Sequence, residues 1–286
     1  MRIANVSGRL TLVTATDGVD VDQASGGRFG DVAAVYDQWE DFASWAGGIT
    51  AHEVDPAHRV NLQDEQLGAP SPTPRQVFAI GLNYRDHAAE AGFSLPENLP
   101  PTFTKFPTCI SAPHTDVPLP SGDVDWEVEL VAVISRRAHR VPVDRAWDHV
   151  AGLTVGQDFS ERKVQMVGPV PQFSLGKSYP NFGPIGPYLV TPDELPDRDD
   201  LALECTVNGE QVQKGRTSQL IFPVAELVAR LSAICPLLPG DVIFTGTPAG
   251  VGMARTPPRY LTPGDEVVSS IEGIGSLRNR CLPAHP

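Results

Sequence analysis

Near the start of the chain, apolar and polar positions mix over residues 2–6 and 9–14, which read as two short strands around the turn Ser7-Gly8. A helical period follows. Val32, Val35, Tyr36, Trp39, Phe42, Ala43 and Ala46 share one helical face behind Asp31, a residue suited to cap that helix. So regular a stripe reads as a core-facing surface rather than a cofactor site. A polar connector with PSPTP at 70–74 follows, the clearest linker signal in the chain. The expected division is a small N-terminal domain with its linker over residues 1–72 and a larger domain over residues 73–286.

In the larger part, VFAIGLN (77–83) reads as an apolar strand, and residues 84–91 have helical composition between Asn83 as cap and Gly92 as stop. Strands are predicted over 125–135 and 150–155, and a hairpin over 203–215 around Asn208-Gly209. Residues 223–233 show helical periodicity. PGDVIFTGTPAGVG (239–252) reads as turn, strand and Gly-rich loop, and 263–277 again as turn then strand.

Composition adds limits. Among 286 residues, 26 Gly and 28 Pro favour many short strands over a helical bundle. A formal net charge of −13 argues against a nucleic-acid partner, which needs clustered Lys and Arg. It does not exclude a small anion, because a bound cation and a few local basic residues reverse the field inside one pocket. Cys109, Cys205, Cys235 and Cys281 are scattered without a CxxC pair, so they read as buried reduced thiols. No apolar run has the roughly 18 residues of a membrane span, and the N-terminus lacks a signal-peptide core, so no membrane partner is expected and a cytoplasmic setting is the default.

The most informative stretch is Asp125-Trp126-Glu127-Val128-Glu129-Leu130. In a strand, Glu127 and Glu129 share one face, about 7 Å apart, while Trp126, Val128 and Leu130 take the other. Val131 and Val133 continue the glutamate face, so burial is expected there, and no Lys or Arg follows before Arg136. A hard divalent cation satisfies such a pair. Spacing alone favours a solvated edge-strand face, since such pairs are common on exposed strands. Asp158, after the apolar VAGLTV, lies at a strand end and would complete an all-oxygen site.

From Val77 to Arg280 the chain resembles the fumarylacetoacetate hydrolase family, with the acylpyruvases and the 2-hydroxyhepta-2,4-diene-1,7-dioate isomerases as its nearest branch. The resemblance rests on IGLNYRDHAAE, FTKFPT, DWEVELVAVI, GLTVGQDFSERKVQ, LGKSYPNFGPIGPYLVT, VNGEQVQKGRTSQLIFPVAELV, PGDVIFTGTPAGVG and PGDEVVSSIEGIGSLRN, in the family's order. It implies an α+β, mostly β fold: a rolled, sandwich-like catalytic domain behind a small α/β domain. It implies Glu127, Glu129 and Asp158 as ligands of one Mg²⁺ or Mn²⁺ per chain. His87 and Glu90 match a lid dyad, and their i, i+3 spacing independently places them on one helix face. Lys177 matches a pocket lysine that stabilises a developing enolate or oxyanion. Gln165 and Thr247 match residues that bind substrate oxygens, with Lys105 and Arg162 as further candidates beside the pocket. Without the resemblance, His87 and Lys177 read as solvated surface residues.

The activity so implied is metal-dependent hydrolysis of a carbon–carbon bond in a small acylpyruvate or 1,3-diketo acid, through an enolate held by the cation. Decarboxylation of a 2-oxo diacid such as oxaloacetate, or isomerisation of a hydroxydienoate, shares that intermediate. A non-catalytic protein that binds metal or dicarboxylate is a further alternative. The resemblance also implies a homodimer. Two departures stand out: Ser178-Tyr179-Pro180-Asn181-Phe182 lacks an acid common after the lysine, and Lys163 stands where relatives often carry an acid.

Overall fold

A computed structural model describes residues 1–14, 17–49, 55–62, 66–86 and 101–284. Among them the fold is mostly β, with two principal sheets. The larger sheet runs, strand by strand, through Arg59–Val60, Gly18–Asp20, Arg9–Val13, Arg2–Val6, Gly183–Val190, Val150–Gln157, Val128–Ile134, Val242–Phe244, Val77–Ile80 and Thr102–Thr104. The smaller orders Glu210–Arg216, Ala202–Val207, Glu266–Ile271, Gly275–Leu282 and Asp116–Pro118. The Asn208-Gly209 turn joins the first two of these, with positive φ of 52° and 81° at its two central residues, as a type I′ hairpin requires.

The larger sheet is covered on both faces, which explains why its central strands read as continuous apolar runs. Val128, Leu130, Ala132 and Ile134 pack into one core with Leu203, Val207 and Val267 of the smaller sheet and with the Val224–Ile234 helix. Val131 and Val133 face the opposite way, into a second core with Val35, Tyr36, Trp39 and Phe42. The alternation along this strand is therefore as expected, while the solvated-edge alternative is excluded: every residue of Val128–Ile134 is buried.

The N-terminal segment joins the same sheet, Arg2–Val6 pairing antiparallel with Gly183–Val190. Its helix divides into a 3₁₀ turn, Ala34–Gln38, and an α-helix, Trp39–Gly47. Asp31 caps this unit, its Oδ1 accepting from Ala33 N–H and Ala34 N–H at 2.7 and 2.9 Å. The predicted strand over 125–135 is also divided, into Val124–Asp125 and Val128–Ile134. At the break side chains replace ladder partners: Asp125 Oδ1 accepts from Trp126 N–H at 2.8 Å, and Gln157 Oε1 from Glu127 N–H.

Candidate metal centre

Antiparallel pairing builds the centre. Val128 opposes Gln157, so the start of one strand meets the end of its neighbour. Glu127 and Glu129 flank Val128, Asp158 follows Gln157, and Asp158 N–H donates to the Glu127 carbonyl at 2.9 Å. The three carboxylates are buried, and one oxygen from each lies within 4.8 Å of the others. Two ligands of one cation at 2.0–2.6 Å stand no more than about 5 Å apart, so this separation and the all-oxygen donor set fit a hard divalent ion. Burial, then the nearby Asp158 and Glu127 carboxylates, push the Glu129 carboxyl well above the usual carboxylate range. Concentrated negative charge of this kind is what a divalent cation relieves.

The sequence offered no nearby counter-charge, and the fold brings three from a distance. Lys177 Nζ donates to Glu127 Oε2 at 2.7 Å, Asp158 Oδ2 at 2.8 Å and Ser160 Oγ at 2.7 Å. Lys105 is fully buried, donating to Asp158 Oδ1 at 2.7 Å, Phe182 O at 3.2 Å and Lys177 O. Burial, the largest single influence, lowers a lysine pKa, but Asp158 together with Cys109 and Glu129 outweighs it and holds Lys105 above its ordinary value. Arg162 reaches Asp125 Oδ2 through Nε and Nη2 at 2.9 and 2.7 Å, Glu127 Oε1 at 2.8 Å and Gln165 Oε1 at 2.9 Å.

Two glycines permit these approaches. Lys177 sits on the turn Leu175–Lys177, where a Cβ on Gly176 would lie 2.5 Å from Gln165 N and 2.7 Å from Glu161 O. In the TGTPAG loop, Gly246 has φ of +104° and donates its N–H to Glu129 Oε2 at 2.7 Å. Thr247 Oγ1 next to it donates to Val128 O at 2.9 Å and accepts from Gln213 Nε2 at 2.8 Å.

The structure thus brings Glu127, Glu129, Asp158, Lys105, Arg162, Gln165 and Lys177 into one contiguous network, with Thr247 tied to it through Val128. His87 and Glu90 lie outside the described residues. Asp125 and Gln213 were not anticipated. Asp125 accepts from Arg162, Trp126, Gly252 and Met253, and Gln213 Oε1 accepts from Val128 N–H at 3.0 Å. Asp125's place two residues before Glu127 was the only signal for it; Gln213 gave none beyond its place in a hairpin strand. In the divergent loop, Ser178 Oγ accepts from Phe106 N–H, Asn181 takes a φ of 64°, and Tyr179 packs on Phe182. Lys163 pairs with Asp123 at 3.1 Å on the surface.

Residues 76–282 match the model of the fumarylacetoacetate (FAA) hydrolase C-terminal domain, well over half of the chain. The chain belongs to the fumarylacetoacetate hydrolase family. Among family relatives, the human mitochondrial oxaloacetate tautomerase FAHD2A is 44% identical over 216 residues, covering 75% of this chain and 68% of that protein. A Mycobacterium smegmatis structure described as a candidate HpcE protein superposes with a TM-score of 0.93 at 54% identity, over 100% of both chains. Maleylpyruvate hydrolase from Sphingobium sp. SYK-6, solved with manganese(II) and pyruvate, gives a TM-score of 0.80 at 26% identity, covering 100% of each chain. Among the described residues, no helix is long and apolar enough to cross a membrane.

Proposed function

We propose that this chain is a divalent-metal-dependent hydrolase that cleaves a carbon–carbon bond in a small acylpyruvate or 1,3-diketo acid. The observation that carries the reading is the convergence of Glu127, Glu129 and Asp158 within 4.8 Å, with the Lys177 ammonium against two of them. Glu127, Glu129 and Asp158 would hold Mg²⁺ or Mn²⁺, which when bound supplies Lewis acidity to the oxygens of a 2-oxo acid. The pyruvate and manganese in the maleylpyruvate hydrolase structure support that ligand class.

This chain's own residues do the remainder. Lys177 places a fixed positive charge beside the carboxylates, where negative charge develops as the carbanion leaves. Lys105 has all three ammonium hydrogens engaged, so it acts as a positioning residue that fixes Asp158 and the Lys177 turn. Arg162 likewise fixes Glu127, and it turns Gln165 by holding that side-chain oxygen. Burial of the whole group keeps bulk water from screening these charges. His87 and Glu90 are assigned to activating water on their match to the family's lid dyad, their i, i+3 spacing placing both on one helix face.

A second reading, tautomerisation of oxaloacetate, is favoured by the 44% identity to the human tautomerase. It needs the same proton and charge handling and no attacking water. The test is a panel of acylpyruvates, fumarylpyruvate, oxaloacetate and a hydroxydienoate diacid on metal-stripped protein, with and without Mn²⁺, with products followed by NMR. Metal-dependent release of pyruvate plus a second acid supports the hydrolase. Accelerated keto–enol exchange of oxaloacetate without cleavage replaces it with the tautomerase. Release of carbon dioxide from oxaloacetate alone replaces both with a decarboxylase.

A further inference from the structure

Asp125 lies two residues before Glu127 and is fully buried, yet it stands outside the group of three carboxylates that could hold a cation. The two-residue strand Val124–Asp125 pairs antiparallel with Ser160–Glu161, Asp125 opposing Ser160. Arg162 follows at the start of the short helix Arg162–Gln165, its N–H donating to Asp123 O at 2.9 Å. This small sheet delivers a carboxylate and a guanidinium to one spot from two distant parts of the chain.

Each oxygen of Asp125 has its own donors. Oδ1 accepts from Trp126 N–H at 2.8 Å and from Gly252 N–H at 2.7 Å. Oδ2 accepts from Arg162 Nε and Nη2 at 2.9 and 2.7 Å, and from Met253 N–H at 2.9 Å. A Cβ on Gly252 would lie 2.7 Å from Oδ1 and 2.0 Å from Arg259 O, so this close approach requires glycine. So many donors on one buried carboxylate leave it little freedom, and it holds the guanidinium by one edge. What remains of the fork is Nη1, which reaches Glu127 Oε1 at 2.8 Å and Gln165 Oε1 at 2.9 Å. A glutamine amide can present either end to a ligand. With its oxygen taken by Arg162, Gln165 presents the NH₂, which only donates.

We propose that Asp125 is a positioning residue: by holding one edge of Arg162 it fixes Gln165 with its NH₂ free to donate to an oxygen of the 2-oxo acid at the metal centre. This assignment rests on the proposed function and adds to it a residue that touches neither the cation nor the acid. Asp125→Asn is nearly isosteric and separates the two halves of the carboxylate. The amide oxygen keeps the Trp126 and Gly252 N–H groups, while its NH₂ faces Arg162 and Met253, donor against donor. Arg162 is then released, and Gln165 with it. Charge acts in the opposite sense. Removing a negative charge near the centre would by itself tighten the binding of an anion, whereas loss of positioning weakens it, so the direction of the change separates the two.

The test is isothermal titration calorimetry of the full chain, first with Mn²⁺ alone and then with pyruvate at Mn²⁺ concentrations that saturate each protein. Asp125→Asn is expected to weaken pyruvate binding by about 5–20-fold, the scale of one lost hydrogen bond. In a Gln165→Leu background the same substitution is expected to change it by no more than about 2-fold, because the last member of the relay is already gone. Arg162→Lys keeps the charge but cannot hold Asp125, Glu127 and Gln165 at once, and should lose pyruvate affinity by about the same factor as Asp125→Asn. A thermal melt accompanies each variant, and Arg162→Lys decides the question if Asp125→Asn does not fold. Three results overturn the relay and leave the proposed function standing: unchanged or tighter pyruvate binding in Asp125→Asn, an undiminished loss in the Gln165→Leu background, or wild-type affinity in Arg162→Lys. Failure of wild type to bind Mn²⁺, or to bind pyruvate once Mn²⁺ is bound, overturns the proposed function and the relay together.

Discussion

Glu129 gives the sharpest prediction, because its substitution should act in opposite directions with and without metal. Its carboxyl is buried, faces Asp158 and Glu127, and is held well above the ordinary range. A carboxyl of this kind binds more protons in the folded chain than in the unfolded one. Its cost is therefore absent below the unfolded value of about 4.3 and grows as pH rises through the interval up to the folded value, by at most about 1.4 kcal/mol per pH unit. In Glu129→Gln the neutral amide keeps an oxygen for Gly246 N–H, 2.7 Å away in the wild type, and turns its NH₂ toward carboxylates. Metal-free Glu129→Gln is expected to be more stable than wild type by about 1–3 kcal/mol at pH 8, with the difference closing toward pH 5.

With a cation the order reverses. Mn²⁺ at 100 times its dissociation constant should stabilise wild type by about 2.7 kcal/mol, and the variant, one ligand poorer, by far less. The assay is urea unfolding followed by tryptophan fluorescence at pH 5, 6.5 and 8, in EDTA and in Mn²⁺. A variant less stable than wild type in EDTA at pH 8 would refute the charge argument. Equal Mn²⁺ stabilisation of both proteins would refute the role of Glu129 as a ligand.

Three further outcomes are expected. Lys105→Met removes three buried hydrogen bonds and leaves Asp158 short of a partner, which should cost about 3–5 kcal/mol by urea unfolding; the loss should be smaller when Asp158→Asn is already present. Gly156→Ala puts a Cβ 2.4 Å from Val131 Cγ2 and 2.8 Å from Phe244 Cε1, so overpacking should destabilise the chain by about 1–3 kcal/mol in the same assay. Chelation should abolish turnover of the active member of the substrate panel, and Mn²⁺ should restore it to wild type but not to Glu127→Gln, read by pyruvate release or oxaloacetate tautomerisation.

How much of this was legible in the sequence follows from which interactions are local. The strand Val128–Ile134, the Asn208-Gly209 hairpin and the helix Val224–Ile234 are set by nearest-neighbour periodicity and turn chemistry, and all three were readable. The break at Trp126 was not, because it depends on Gln157, thirty residues away, taking the Glu127 N–H. The 3₁₀ turn before Trp39 was hidden for a different reason: a helical stripe looks alike whether the first turn is tight or regular. At the candidate metal centre, the three acids stood out on apolar strands and the family resemblance proposed them as ligands, whereas nothing in the sequence marked their counter-ions as such. Lys105, Arg162 and Lys177 are ordinary basic residues until the fold buries them, and burial is a non-local property.

Those counter-ions resolve an apparent conflict between an acidic chain and an anionic ligand. Asp125, Glu127, Glu129 and Asp158 contribute four negative charges when ionised, and Lys105, Lys177 and Arg162 contribute three positive ones. Burial and the neighbouring carboxylates favour a proton on Glu129, and with that proton the metal-free group would be close to neutral, which would ease the burial of so many charges without water. Bound there as proposed, a divalent cation would displace that proton and leave the group with a net charge near +1. The field at the loaded centre would then be opposite in sign to that of the molecule as a whole, whose formal charge is −13. Cation and organic acid are coupled by this arithmetic: the second should bind well only where the first is present, and each should raise the affinity for the other by the same factor.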